Sequence, residues 1–235
     1  MKNQNWKKFS KLTEKCYLNM IGAEKNGSCW QQAFELLKEI VLEERKEHPN
    51  YASQLETLDD ATDYDYDIQG WLEDCLDEID MKGEYETLLS MCEDLLNLFE
   101  WPEYTGSDIR FQKASALGAL DRCEEAADYC REWIEKEPEN IVAATAGVYA
   151  FIEMNQFEEA EELIDRFISD KSVCSDENDI MFIAASKLYE AAGKRAEKRR
   201  IDKAMKEYEK YLKEYYESFG VDEEGDELSD WDFPF

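Results

Sequence analysis

Residues 123–134 read CEEAADYCREWI and residues 157–168 read FEEAEELIDRFI, the same layout of apolar, acidic and small residues displaced by 34 positions. The correspondence runs residue by residue: Cys123 with Phe157, Ala126 with Ala160, Tyr129 with Leu163, Cys130 with Ile164, Trp133 with Phe167 and Ile134 with Ile168. Counted from Ala126, the apolar positions fall three, four, seven and eight residues on, the spacing of one helical face. Ala126 and Ala160 are expected where two helices pass closest, so their side chains must be small. Another helical stretch precedes each copy, DIRFQKASALGAL and IVAATAGVYAFIEM, across the short turns Asp121-Arg122 and Asn155-Gln156. This spacing predicts antiparallel helix hairpins.

A 34-residue period with this pattern resembles the tetratricopeptide repeat family. The resemblance rests on Ala114, Leu117, Ala126 and Pro138 in the first unit, and on Phe151 and Ala160 in the second. Ser172 stands in the place of the second terminal proline, and neither unit carries the family's early tryptophan. The match covers residues 107–170, and weaker copies flank it. Residues 68–99 pair two helices around Met81-Lys82-Gly83, with Tyr85 and Leu88 in the places of Cys123 and Ala126, at a spacing of 38. Residues 6–48 suggest a hairpin broken at Asn26-Gly27-Ser28. DIMFIAASKLYEAAG leads through Gly193 into a charged helix over 194–217. The expected fold is all-α, a solenoid of about five antiparallel helix hairpins. It would form one repeat domain over 1–217, with a loop insertion at 49–67 and an acidic, aromatic tail at 218–235. Sequence leaves open whether the hairpin 6–48 continues the stack or packs across its end.

The chain has 27 Lys and Arg against 57 Asp and Glu, a net charge of −30. Such a field repels nucleic acid and anionic lipid, which depend on basic residues to neutralise phosphate, and it favours cationic partners. No stretch approaches the roughly 18 consecutive apolar residues a spanning helix needs. No apolar run follows the opening MKNQNWKKFS, so no secretory signal is expected. Seven cysteines without a Cys-x-x-Cys spacing read as reduced, buried thiols of a cytoplasmic protein. The basic minority is concentrated: 194–213 holds nine bases against four acids, and 2–25 six against two. These runs read either as solvated capping helices or as docking surfaces for acidic segments.

No catalytic constellation emerges, and no cofactor is expected. Asp63, Asp65 and Asp67 meet the first requirement of a calcium loop, but Ile68 occupies the glycine position and Asp74 the place of the bidentate Glu. The alternative is an acidic loop in which Asp67 caps the next helix. His48 is the only histidine, which removes multi-histidine metal sites, and no paired cysteines offer zinc a Cys₄ site. No phosphate-cradling Gly-rich loop or nucleophile elbow is present. Cys130 and Trp133 lie one turn apart and read as packing.

By resemblance, a partner peptide would lie on the concave side lined by the first helix of each hairpin, here at Phe111, Gln112, Ser115, Thr145, Ala146 and Tyr149. The family's carboxylate clamp of Lys, Asn and Arg is absent from these positions. The tail carries Trp231, Phe233 and Phe235 among acids, aromatics of the kind that anchor binding when they enter a pocket. The expected function is non-catalytic protein or peptide binding as a scaffold or adaptor, with some basic character in the partner. A ligand-responsive regulatory sensor, an acidic decoy for a basic protein and an enzyme with an unrecognised acidic site are rival readings. Oligomeric state is not legible from the sequence.

Overall fold

The computed structural model describes residues 2–23 and 28–218. Among the described residues the chain forms eleven helices and no strand. It divides into two compact units, Met1–Ala116 and Leu117–Phe235. The first holds α1 (Lys2–Met20), α2 (Cys29–Glu47), α3 (Glu56–Asp60), α4 (Ile68–Met81), α5 (Tyr85–Leu98) and most of α6 (Ser107–Ala119). The second holds α7 (Cys123–Lys136), α8 (Ile141–Glu153), α9 (Phe157–Phe167), α10 (Asp179–Ala191) and α11 (Arg195–Ser218). The ten long helices fall where the periodicity places them. The segment 49–67, expected as a loop, contains the single-turn helix α3. The tail beyond Ser218 and the Asn26-Gly27 turn lie outside the described residues.

One turn recurs down the chain. α4 ends with Gly83 at φ +68, and the Glu84 N–H donates back to the Ile79 carbonyl at 3.1 Å. Asp121 (φ 59), Asn155 (φ 55) and Gly193 (φ 68) hold the same place after α6, α8 and α10. There the matching bonds are Arg122 to Leu117 at 2.9 Å, Gln156 to Phe151 at 2.8 Å and Lys194 to Tyr189 at 2.8 Å. α1 ends likewise, with Gly22 at φ 73 and Ala23 N–H on the Leu18 carbonyl at 2.8 Å. This is the left-handed helix stop that satisfies carbonyls otherwise orphaned at a helix end. Glycine takes the conformation freely, whereas Asp121 and Asn155 adopt it at some cost.

The entry into α4 differs from expectation. Asp67 precedes it but sits at φ 42, ψ 62 and makes no side-chain cap bond. The buried Asp59 carboxylate instead accepts the Ile68 N–H at 2.6 Å and the Gln69 N–H at 3.1 Å. With Asp67 in the left-handed region, its carboxylate lies over Gly70, where a Cβ would meet Oδ2 at 2.9 Å, and bonds none of the first N–H groups of α4.

Aromatic rings dominate the core of the first unit. Trp30 and Trp71 stack at 6.1 Å between centroids, Phe9 meets Trp71 edge-on at 5.0 Å, and Trp6 stacks on Tyr66 at 5.1 Å. Cys16, Cys29 and Cys75 are fully buried in this unit as free thiols, and burial pushes Cys75 up to about 12. Arg45, in the last turn of α2, closes the 49–55 segment. Its guanidinium donates to the carbonyls of Tyr51 at 3.0 Å, Ala52 at 2.6 Å and Leu98 at 2.5 Å.

In the second unit α8 packs on α7, α9 and α10, while α10 also packs on α9 and α11. Small residues permit this closeness. Ala143, Ala144, Ala146, Gly147 and Ala150 of α8 are buried, as are Ala126 of α7 and Ala160 of α9. A Cβ on Gly147 would come within 2.6 Å of Ile134 Cδ1 and 3.0 Å of Leu163 Cδ1. Cys130 and Trp133 are packed inside, as their spacing suggested, and burial pushes the Cys130 thiol up to about 12. Arg131 of α7 pairs with Glu159 of α9 at 3.0 Å while lying 4.9 Å from the centre of the Phe151 ring.

Candidate functional site

A groove of about 370 Å³ opens in the first unit. α4 supplies one wall with Gln69, Leu72, Glu73, Leu76 and Asp77, the positions that a helix brings to one face. Asp108, Ile109 and Gln112 of α6 face it. Its ends are formed by Gln54, Leu55 and Glu56 before and within α3, and by Glu100, Trp101 and Thr105 after α5. Leu72, Leu76, Ile109 and Leu95 of α5 make an apolar floor, each 9% exposed or less. Arg45 fixes the 51–52 backbone leading to one end, and the Trp101 indole N–H donates to the Leu95 carbonyl at 3.3 Å at the other.

The rim carries Glu56, Glu73, Asp77, Glu100 and Asp108, and among the described residues no Lys or Arg lines the groove. Elsewhere in this unit some acids pair with lysines, among them Asp94 with Lys38 at 2.5 Å, Glu78 with Lys82 at 2.8 Å, and Glu93 with Lys113 at 2.9 Å. Gln112 is the polar centre of the groove. Its Nε2 donates to Asp77 Oδ1 at 3.1 Å, while its Oε1 is shut off from solvent with no hydrogen-bond partner. Partial burial, then the neighbouring Asp74 carboxylate, hold Asp77 above the ordinary carboxylate value, against the Gln112 bond. Burial and the charge of Asp77 act likewise on Asp80.

Of the residues singled out from sequence, Gln112 lies in this groove, and Phe111 and Ser115 are half-buried on the same helix. Tyr149 is half-buried on α8, and burial pushes its phenol up to about 12. Thr145 and Ala146 are only 3% and 4% exposed, and the Thr145 hydroxyl donates to the Ile141 carbonyl of its own helix at 2.8 Å. Neither offers surface to a partner. Trp231, Phe233 and Phe235 lie outside the described residues. Leu72, Leu76, Asp77 and Trp101 were not anticipated. The signal for α4 lies in its place as the first helix of its hairpin, with Glu73 and Asp77 one turn apart on it.

Asp63, Asp65 and Asp67 are exposed, and among the described residues no group of three or more His, Cys, Asp or Glu is arranged to hold a metal ion. Much of the basic run in 194–213 is engaged within the chain: Lys194 with Glu161, Lys198 with Asp202, Arg200 with Asp170, Lys203 with Glu207 and Lys210 with Glu214. Among the described residues no helix is long and apolar enough to cross a membrane. No protein-family model matches the chain, and no curated protein or solved structure matches it significantly.

Proposed function

We propose that the chain is a non-catalytic peptide-binding adaptor of tetratricopeptide-like build, with the groove between α4 and α6 as its binding site. The observation that carries this reading is the groove itself, a leucine and isoleucine floor ringed by five carboxylates. A concave apolar surface with a few fixed polar groups is the ordinary form of a small binding site. The repeated left-handed turn after α1, α4, α6, α8 and α10 supports the hairpin-repeat part of the proposal, as does the packing of α8 and α10 on successive helices. A stack of this kind holds a segment of another protein in extended or helical form along the first helices of its hairpins.

The test is selection of a random peptide library on the full chain, followed by titration of the enriched peptides against a variant with a filled groove. Gln69→Trp with Thr105→Trp places bulk at two positions that are not part of the buried floor. Peptides that lose about tenfold or more in affinity for the filled variant, at unchanged melting temperature, support the reading. Failure to enrich any peptide, or equal affinity for both proteins, removes it.

A further inference from the structure

Resting on that reading, we infer that the groove recognises a guanidinium group: an arginine of the partner segment lays its alkyl stem on Leu72 and Leu76 and its charged end between Asp77 and Gln112. The argument begins with charge that the chain leaves uncompensated. Five carboxylates surround the groove, and no basic residue among the described ones is in its lining. Helix position accounts for two of them, because Glu56 and Asp108 stand in the first turns of α3 and α6, where negative charge is favoured. Glu100 lies in the field of Arg45. Glu73 and Asp77, on the groove face of α4, have neither explanation.

The second observation is the amide of Gln112. Its donor is used by Asp77 Oδ1 and its acceptor is unused. An unused buried acceptor is unfavourable, so the amide gains by turning Oε1 toward an entering N–H. With the amide turned, Gln112 Oε1 and the Asp77 carboxylate would offer two acceptors from α6 and α4 beside the apolar floor. A guanidinium presents its donors in a planar fork that can meet both at once, whereas an ammonium offers a compact, strongly hydrated charge. Trp101 in the same lining adds an aromatic face suited to a cation.

A net charge of −30 attracts any basic peptide, so the experiment must separate the site from the field. The full chain is titrated calorimetrically with a blocked six-residue peptide of alternating leucine and arginine, and with its lysine and citrulline twins. The proteins are wild type, Asp77→Asn, Gln112→Leu, the filled-groove double variant, and Glu162→Gln, an exposed carboxylate of α9 in the second unit. Asp77→Asn should lower affinity for the arginine peptide about tenfold and Gln112→Leu about threefold, while Glu162→Gln stays within about twofold. The lysine and citrulline peptides should bind wild type about tenfold more weakly. An equal loss in Glu162→Gln assigns the attraction to overall charge and overturns the inference. So does equal binding of the lysine twin. If the citrulline twin binds as tightly as the arginine peptide and the filled groove abolishes both, the peptide groove stands and the guanidinium reading falls. If neither these peptides nor any selected from the library respond to groove filling, both fall.

Discussion

Asp59 holds the start of α4 from outside that helix: its carboxylate accepts the Ile68 N–H at 2.6 Å. The adjoining Gln69 N–H reaches the other oxygen at 3.1 Å, so one buried side chain satisfies two donors that no intrahelical carbonyl can reach. Asp59→Ala is expected to destabilise the protein by about 1–3 kcal/mol, with Asp59→Asn intermediate because one acceptor survives. Asp67→Gly should be neutral or stabilising, because Asp67 caps nothing and holds a φ of 42 that glycine adopts without strain. Urea unfolding midpoints of the three variants check the assignment, and an Asp67→Gly loss as large as that of Asp59→Ala would reverse it.

The recurring turn makes opposite predictions at its glycine and non-glycine members. Gly193 at φ 68 should resist alanine, with Gly193→Ala losing about 1 kcal/mol. Asp121→Gly and Asn155→Gly should each be neutral or gain up to about 0.5 kcal/mol, as relief of strain is offset by unfolded-chain entropy. Thermal melts suffice to rank the three. A stabilised Gly193→Ala would show that backbone strain does not govern these turns.

Gly147 tests the close packing of α8. Alanine there gains helix propensity of about 0.5–1 kcal/mol but drives Cβ against Ile134 and Leu163, an overpacking of about 1–3 kcal/mol, so Gly147→Ala should be a net loss. In an Ile134→Ala background most of the crowding is gone, and the same substitution should become neutral or favourable. This change of sign in a double-mutant cycle is the measurement, and its absence would point away from the Ile134 contact.

Asp77 and Asp80 both have carboxyls raised above the ordinary 3.8 by folding. Between 3.8 and the raised values the native state binds more protons than the unfolded chain, so stability falls as pH rises through that window. Lowering pH from about 7 toward about 4 should therefore recover stability from these two groups. Asp77→Asn with Asp80→Asn should flatten that part of the profile. Parallel wild-type and double-variant curves would contradict the assignment. Binding of a basic peptide moves the other way, weakening as Asp77 takes up its proton.

The helix pairs were legible because period, apolar spacing and turn residues agree locally, as at Ala126, Asp121 and Asn155. What depended on distant residues was not. Asp67 looks like the cap of α4 because it is adjacent, but the cap is Asp59, nine residues before the N–H it accepts and brought there by α3. Gln112 is a lining position by the repeat register and also lines the groove, whereas Asp77 and Trp101 become groove residues only once α4, α6 and the 100–105 segment are together. Thr145 and Ala146 occupy lining positions by register, yet the small residues that let α8 approach its neighbours also bury them.

The uniform stop after each first helix has a consequence for how the chain is made. The connections after α4, α6, α8 and α10 are three residues long, at 82–84, 120–122, 154–156 and 192–194, while the others from α5 onward vary, at 99–106, 137–140 and 168–178. Each three-residue connection is closed by a hydrogen bond between residues five apart, so its loop-closure entropy is small. A packed pair such as α4 with α5, α8 with α9 or α10 with α11 therefore meets its own second helix, as it emerges from the ribosome, before any later one is synthesised. Changes of chain length are absorbed at the outer connections, where they leave that local reversal untouched.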